Sequence, residues 1–136
     1  RSLHKILEDF VKSNNNSVLF DSLGQLKYFS CMAIVDGVIG NSSSGIAETP
    51  SFKIPTVNIG DRQKGRLKAS SVIDCGTRSE EIRTAINRIY DEDFRANLQL
   101  TVNPYGDGGA TTKIMKIVQG LNLKDALKKS FRDLSH

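Results

Sequence analysis

Two turns rich in small residues follow two short apolar runs within residues 38–66, and this alternation constrains the fold most. The first run ends in Val38 and Ile39, and the second is Thr56–Ile59. A short helical segment separates them, so the pattern predicts neighbouring parallel strands in an α/β sheet. In such sheets, ligands bind beyond the carboxyl ends of the strands. The stretch therefore predicts a fold class and a place for a site.

The first turn, called the serine turn (residues 40–45), predicts an anion site. Gly40 allows an unusual backbone angle, and the serines place hydroxyl groups at the start of a helix. The free N–H groups and the helix dipole at that position favour an anion. We expect Ser42 and Ser43 to bind a phosphate. Glu48 lies about one and a half helical turns further on, where a carboxylate suits the hydroxyls of a ribose. Serine-rich turns are also common as simple caps.

The second turn, called the basic loop (residues 60–66), holds three cations. Arg62 is nearest to the strand end, and its planar guanidinium can bind a diphosphate bidentately. Lys64 and Arg66 are interpreted as solvated. Either turn alone is weak evidence, but two such turns in succession at neighbouring strand ends favour a binding site for a nucleotide diphosphate.

Three motifs follow one another along the chain: G-N-S-S-S-G-x-x-E from Gly40, P-x-F-x-x-P-x-x-N-x-G-x-R-Q-x-G-R from Pro50, and N-P-Y-G-D-G from Asn103. Together they resemble the carboxyl-terminal half of the UDP-N-acetylglucosamine 2-epimerases, over about residues 18–118. The non-hydrolysing branch of that family has an Asp-Ser-Gly-Gly turn and a Thr-Glu-Arg-Pro loop, which this chain lacks. The resemblance is therefore to the hydrolysing branch, which releases UDP and N-acetylmannosamine or a related 2-epimerised sugar.

The resemblance implies an α/β fold with a Rossmann-like parallel sheet and flanking helices. Residues 1–136 would form the carboxyl-terminal nucleotide-binding lobe of a GT-B-type two-lobed enzyme, and the amino-terminal lobe would be absent from this chain. The active site of such enzymes lies between the lobes. The catalytic acids and bases are expected in the absent lobe, so no catalytic residue is assigned here and this chain alone is expected to be inactive.

The resemblance also implies a ligand and its contacts. The ligand is a UDP-sugar, and the backbone near Leu23 lies against the uracil base. Ser42 and Ser43 bind the phosphates, Glu48 binds the ribose hydroxyls, and Arg62 meets the charge that develops on the leaving group. No cofactor and no metal is implied, and the full-length enzyme is expected to be a homo-oligomer.

Composition bears on the remaining partners. The net charge of +4 comes with a concentration of cations in residues 53–68 and in the last predicted helix. A nucleotide pocket also needs cations, and no nucleic-acid motif accompanies them, so no nucleic-acid partner is expected. No long apolar run and no signal-peptide pattern occurs, which predicts no membrane association and a cytoplasmic protein. Cys31 and Cys75 have no metal-site spacing and are expected to be reduced.

The pattern along the chain predicts alternating helices and strands. Helices are expected at 2–12, 25–34, 45–52, from a cap at Thr77 or Ser79, at 91–100, at 110–119, and at 123–134 after a cap at Asn122; strands are expected at 17–21, 36–40, 56–59 and 71–75. The loop beginning at Asn103 is assigned a positioning role.

Two other functional classes stay open at this point. A GT-B glycosyltransferase also binds a UDP or GDP diphosphate at a serine or glycine turn and a ribose on a glutamate. A non-catalytic module would use the same pocket to sense a nucleotide. The sugar, and with it a role in sialic or legionaminic acid synthesis, is likewise open.

Overall fold

The computed structural model describes residues 2–121, which include a three-stranded parallel sheet and flanking helices. The predicted α/β class is therefore confirmed. The elements are α1 (Leu3–Ser13), α2 (Gly24–Met32), β1 (Val38–Gly40), α3 (Ser44–Ala47), a 3₁₀ turn (Thr49–Phe52), β2 (Thr56–Ile59), β3 (Val72–Cys75), α4 (Ser79–Ile89), α5 (Glu92–Leu98) and α6 (Ala110–Gly120).

The chain divides into two compact units. The first ends at Tyr105 and contains the sheet, and the second begins at Gly106 and contains α6. The helix expected at 123–134, with its Asn122 cap, lies outside the described residues. None of the helices within residues 2–121 is long and apolar enough to cross a membrane.

The three strands lie in the order β1, β2, β3, and their residues are in step. Gly40 lies beside Asn58, and Asn58 lies beside Asp74. Side chains alternate between the faces of a sheet, so Val57 and Ile73 lie on the opposite face from Asn58. There they form the buried core with two residues of α4, Ala85 and Ile89. This core fixes the sheet on which the two turns are built.

The strand expected at 17–21 is not formed. Its residue types favour a strand, but a strand needs a partner for its backbone N–H and C=O groups. None of the described residues pairs with this segment in a ladder, and β1 pairs only with β2 among them. Val18 is 76% exposed and Phe20 is 60% exposed, so the segment also lacks the burial that is typical of a strand in a parallel sheet.

The helix expected at 45–52 is divided into α3 and the 3₁₀ turn. Pro50 lacks a backbone N–H and its ring opposes a continuous α-helix, which accounts for the break. Lys53 ends the 3₁₀ turn with a left-handed backbone angle, φ 58°. Its ammonium donates to the carbonyl of Gln99 at 3.1 Å and also to that of Thr101. This cation of the basic stretch therefore holds the end of α5.

The start of α4 also differs from the prediction, because Arg78 is the N-cap and neither Thr77 nor Ser79 takes that place. The carboxylate of Glu81 accepts from the backbone N–H of Arg78 at 3.2 Å and from its guanidinium at 2.8 Å. These hydrogen bonds from the Arg78 side chain and backbone lower the pKa of Glu81. The first helix agrees with its prediction to within a residue at each end.

Candidate functional site

The serine turn and the basic loop meet at one edge of the sheet. Their strands end side by side because Gly40 of β1 is in register with Asn58 of β2. Two successive residues of the loop then contact Asn41. The Gln63 amide donates to the Asn41 backbone carbonyl at 2.8 Å, and the Arg62 guanidinium lies 3.5 Å from the Asn41 side-chain oxygen. The two turns are therefore in direct contact.

The serine turn is supported by a short helix. Ser43 is the residue before α3, and the Ser42 hydroxyl accepts a hydrogen bond from the backbone N–H of Ser44 at 3.4 Å. Both serine side chains are exposed. Because α3 has only four residues, its helix dipole is small, and the groups at this turn that suit an anion are the hydroxyls, the local N–H groups and the neighbouring Arg62.

The serine turn approaches β2 closely. A Cβ atom added at Gly45 would lie 2.6 Å from the Cγ2 atom of Thr56, well inside contact distance. A glycine at this position therefore allows α3 to pack against the strand. The distance between the turn and the sheet depends on this one missing side chain.

Glu48 lies in a chain of hydroxyl groups that the sequence did not reveal. The Tyr28 hydroxyl is 2.7 Å from the Ser44 hydroxyl, which donates to Oε2 of Glu48 at 2.5 Å. Since the single proton of Ser44 is directed at the carboxylate, Tyr28 is the donor to Ser44. One oxygen of Glu48 is fixed by this chain, and Oε1 accepts no hydrogen bond from the described residues.

A groove of about 600 Å³ lies beside this chain of hydroxyls. Leu23 and Glu48 both line it, together with aromatic residues of and before α2, including Phe20, Tyr28 and Phe29. The structure therefore places Leu23 and Glu48 on the walls of one groove. Ser42, Ser43 and Arg62 lie outside its lining, at the contact between the two turns.

The basic loop is followed by a polar cluster on the sheet. The Lys68 ammonium lies 2.8 Å from both carboxylate oxygens of Asp74, and the buried Asn58 amide donates to one of them at 2.7 Å. Partial burial opposes the charge of Asp74, but these hydrogen bonds and the charge of Lys68 outweigh it and lower the pKa of Asp74. Lys68 is thus engaged with the sheet.

The loop that begins at Asn103 contacts the segments behind both turns. The Asn103 amide donates to the Ala47 carbonyl at 2.8 Å and to the Ser51 hydroxyl at 2.7 Å. The Tyr105 hydroxyl donates to the Leu67 carbonyl at 3.1 Å, just after the basic loop. These contacts support the positioning role assigned to this motif.

A second groove, of about 440 Å³, lies between β3 and α4 and includes Cys75. Burial raises the pKa of the Cys75 thiol, and the negative charges of Glu81 and Asp74 raise it further. The thiol is therefore protonated at neutral pH and a poor nucleophile.

Comparison with known proteins identifies relatives of this chain. The family model described as UDP-N-acetylglucosamine 2-epimerase matches residues 1–119. GDP/UDP-N,N'-diacetylbacillosamine 2-epimerase (hydrolyzing) of Campylobacter jejuni is 42% identical over 97% of this chain, and polysialic acid biosynthesis protein P7 of Escherichia coli is 42% identical over 83%. UDP-N,N'-diacetylbacillosamine 2-epimerase (hydrolyzing) of Legionella pneumophila is 26% identical over 89%.

The chain spans about a third of the length of these curated relatives: 34%, 26% and 31%, respectively. Two of the three relatives are hydrolysing enzymes by name, which agrees with the departures in the serine turn and the basic loop. The resemblance drawn from the motifs is confirmed, and the chain belongs to the UDP-N-acetylglucosamine 2-epimerase family.

Proposed function

We propose that this chain is the UDP-binding lobe of a hydrolysing UDP-sugar 2-epimerase. The observation that carries the proposal is the contact of the basic loop with the serine turn at Asn41, together with the groove lined by Leu23 and Glu48. This arrangement suits a ligand with an anionic centre and a nucleoside on one side of it.

The proposed reaction begins with removal of the proton at C2 of the sugar by a base. The C1–O bond breaks as UDP leaves on the opposite face, which gives a 2-acetamidoglycal. Water then adds its oxygen to C1, and a proton returns to C2 on the other face. The base and acid are proposed to lie in the amino-terminal lobe, so the task of this chain is to stabilise the charge on departing UDP.

Each predicted site residue has a role in that task. Ser42 and Ser43, both exposed, donate their hydroxyls to the phosphates. Among the described residues, Arg62 makes only a long contact of 3.5 Å, to Asn41, which a diphosphate can displace. Glu48 offers Oε1 to the ribose, and the backbone at Leu23 reads the base. Loss of one charge-assisted contact lowers affinity by roughly 1.5–3 kcal/mol, or about ten- to a hundredfold.

The sugar is proposed from the names of the relatives. Two of them act on N,N'-diacetylbacillosamine nucleotides by name, and one belongs to polysialic acid biosynthesis. We therefore propose a UDP-linked 2-acetamido sugar, either N-acetylglucosamine or its diacetamido-trideoxy analogue. The full-length protein is proposed to act in the cytoplasm as a homo-oligomer.

The test of the reaction uses the full-length protein in heavy water, mixed with each UDP-sugar in turn and followed by proton NMR. Free UDP together with a 2-epimerised sugar deuterated at C2 is the expected result. An equilibrium mixture of two intact UDP-sugars would place the protein in the non-hydrolysing branch. If the protein binds UDP but turns over neither UDP-sugar, the result would favour the non-catalytic module.

The test of the site is calorimetric titration of the full-length protein with UDP. Glu48→Ala and Arg62→Ala are each expected to lower the affinity about tenfold or more. Lys64→Ala is the matched control. Lys64 is an exposed cation of the same loop, and we expect it to be solvated, so its loss should leave the affinity for UDP unchanged. Equal affinity in all variants would overturn the site assignment.

A further inference from the structure

We propose that Gln63 is a positioning residue that locks the serine turn to the basic loop, so that both turns bind one diphosphate. The inference rests on the proposed function, because it concerns how the same site is assembled. Gln63 is part of the R-Q-x-G-R motif, and neither the predicted contacts nor the proposed reaction uses it.

The side chain of Gln63 is buried where its neighbours are not. It is 3% exposed, whereas Arg62 and Lys64 on either side are exposed. The amide crosses from one turn to the other and donates to the Asn41 carbonyl at 2.8 Å, over a sequence separation of 22 residues. A buried side chain with a single directed contact between two loops is suited to holding them in place.

The contact also fixes the direction of a donor. The Asn41 carbonyl and the N–H of Ser42 belong to one peptide unit, and no peptide bond among the described residues is cis. In a trans peptide these two groups point in opposite directions. Because Gln63 holds the carbonyl, the Ser42 N–H is directed to the side away from Gln63. We infer that this side faces the diphosphate.

Packing alone does not explain an amide at this position. The Oε1 atom of Gln63 is buried and has no hydrogen-bond partner among the described residues. An apolar side chain of similar size would fill the same space without burying that acceptor. The part of Gln63 that an apolar residue cannot replace is the hydrogen bond to Asn41, which supports a role in positioning.

The experiment measures UDP and uridine binding to the full-length protein and to its Gln63→Leu and Gln63→Glu variants. Gln63→Leu keeps the volume and loses the donor, and Gln63→Glu also adds a negative charge. Both are expected to weaken UDP binding about tenfold or more, with uridine binding within about twofold, since uridine uses only the groove of Leu23 and Glu48. Lys64→Ala is the control within the loop. Circular dichroism checks the fold, and Gln63→Met replaces Gln63→Leu if the latter is unfolded.

Two results would overturn the inference while the proposed function survives. One is unchanged UDP affinity in Gln63→Leu, and the other is an equal loss of UDP and uridine binding, which would indicate a general structural role. A wild-type protein that binds no UDP would instead overturn the proposed function and the inference with it. A double-mutant cycle with Arg62→Ala sharpens the result, because a positioning role predicts that the Gln63→Leu effect shrinks once Arg62 is gone.

Discussion

The buried core beneath α4 and the two turns at the sheet edge are held by different kinds of contact. The core consists of Val57, Ile73, Ala85 and Ile89, which pack without directional bonds. The turns and their neighbouring segments are joined by side chains that donate to backbone carbonyls, those of Asn41, Ala47 and Leu67, over 2.8 to 3.1 Å.

This difference separates stability from geometry. Apolar burial contributes in proportion to area and tolerates small shifts, whereas a hydrogen bond contributes about 1 kcal/mol but fixes an angle and a distance. The core therefore carries more of the free energy of folding. The polar contacts orient the groups that a ligand would meet. Substitutions in the core and at the turns should therefore differ in their effects on stability and on ligand binding.

Ile89→Ala is expected to lower the free energy of unfolding by about 2–5 kcal/mol, because it leaves a cavity in the core. Ile89 is 3% exposed. Urea unfolding followed by circular dichroism measures the change. Asn87→Ala, on the exposed side of the same helix, is the control and should change stability little. An Ile89→Ala effect no larger than that of the control would contradict the conclusion that the core carries more of the free energy of folding.

Asn103→Ala is expected to lower stability by about 1–3 kcal/mol and also to weaken UDP binding, since the Ala47 carbonyl and the Ser51 hydroxyl lose their shared donor. Asn97→Ala is the matched control. Within the part of the chain that the structure describes, the Asn97 amide donates only to the Asp93 carbonyl of its own helix, so its loss should leave UDP binding unchanged. Similar UDP affinities for the two variants would contradict a positioning role for Asn103.

Tyr28→Phe tests whether the chain of hydroxyls at the groove orients Glu48. Removing the hydroxyl takes away the donor to Ser44 and loosens the carboxylate of Glu48. The preference for UDP over 2'-deoxy-UDP is expected to fall about two- to tenfold, measured by competition binding to the full-length protein. Tyr90→Phe, on the surface, serves as the control. A preference that stays the same would mean that this chain of hydroxyls does not orient Glu48 toward the ribose.

The smallest effect is a pH dependence at Asp74. Its pKa is lowered in the folded state, so its contribution to stability is present above the unfolded pKa of about 3.9 and is lost as the pH falls through the lower folded value. Because the side chain is 54% exposed, the contribution should stay below about 1 kcal/mol. Urea midpoints between about pH 6 and 3 should decline less in Asp74→Asn than in the wild type. An equal decline of the urea midpoint in the wild type and in Asp74→Asn would show that Lys68 and Asn58 do not stabilise the charge of Asp74.

Local sequence predicted those elements whose signal lies within a few residues. β2 has the predicted bounds, because Pro55 and Gly60 limit a short run of strand-forming residues that is buried on the sheet. The expected strand at 17–21 has a similar composition but no partner among the described residues. Strand formation depends on a ladder that composition does not reveal.

The arrangement of the two turns was predictable in outline for the same reason. The two turns and Arg62 follow strand ends, so periodicity placed them. Glu48 was predicted from its place in the helical segment after the serine turn, and Leu23 came with the family resemblance. Gln63 and Tyr28 were missed because their partners lie 22 and 16 residues away, and such contacts leave no periodic trace. A glutamine between two cations in the basic loop is the one signal that would have indicated an inward-facing side chain.

The matched register of the strands limits how the two turns can change. Because Gly40 and Asn58 are neighbours in the sheet, the two strands that precede the turns lie about 4.8 Å apart, a spacing set by backbone pairing and independent of the turn residues. The pairing of the strands thus sets this distance, and different turn residues can follow the same two strands. The sequences of the turns can therefore change while the distance between the two strands stays constant.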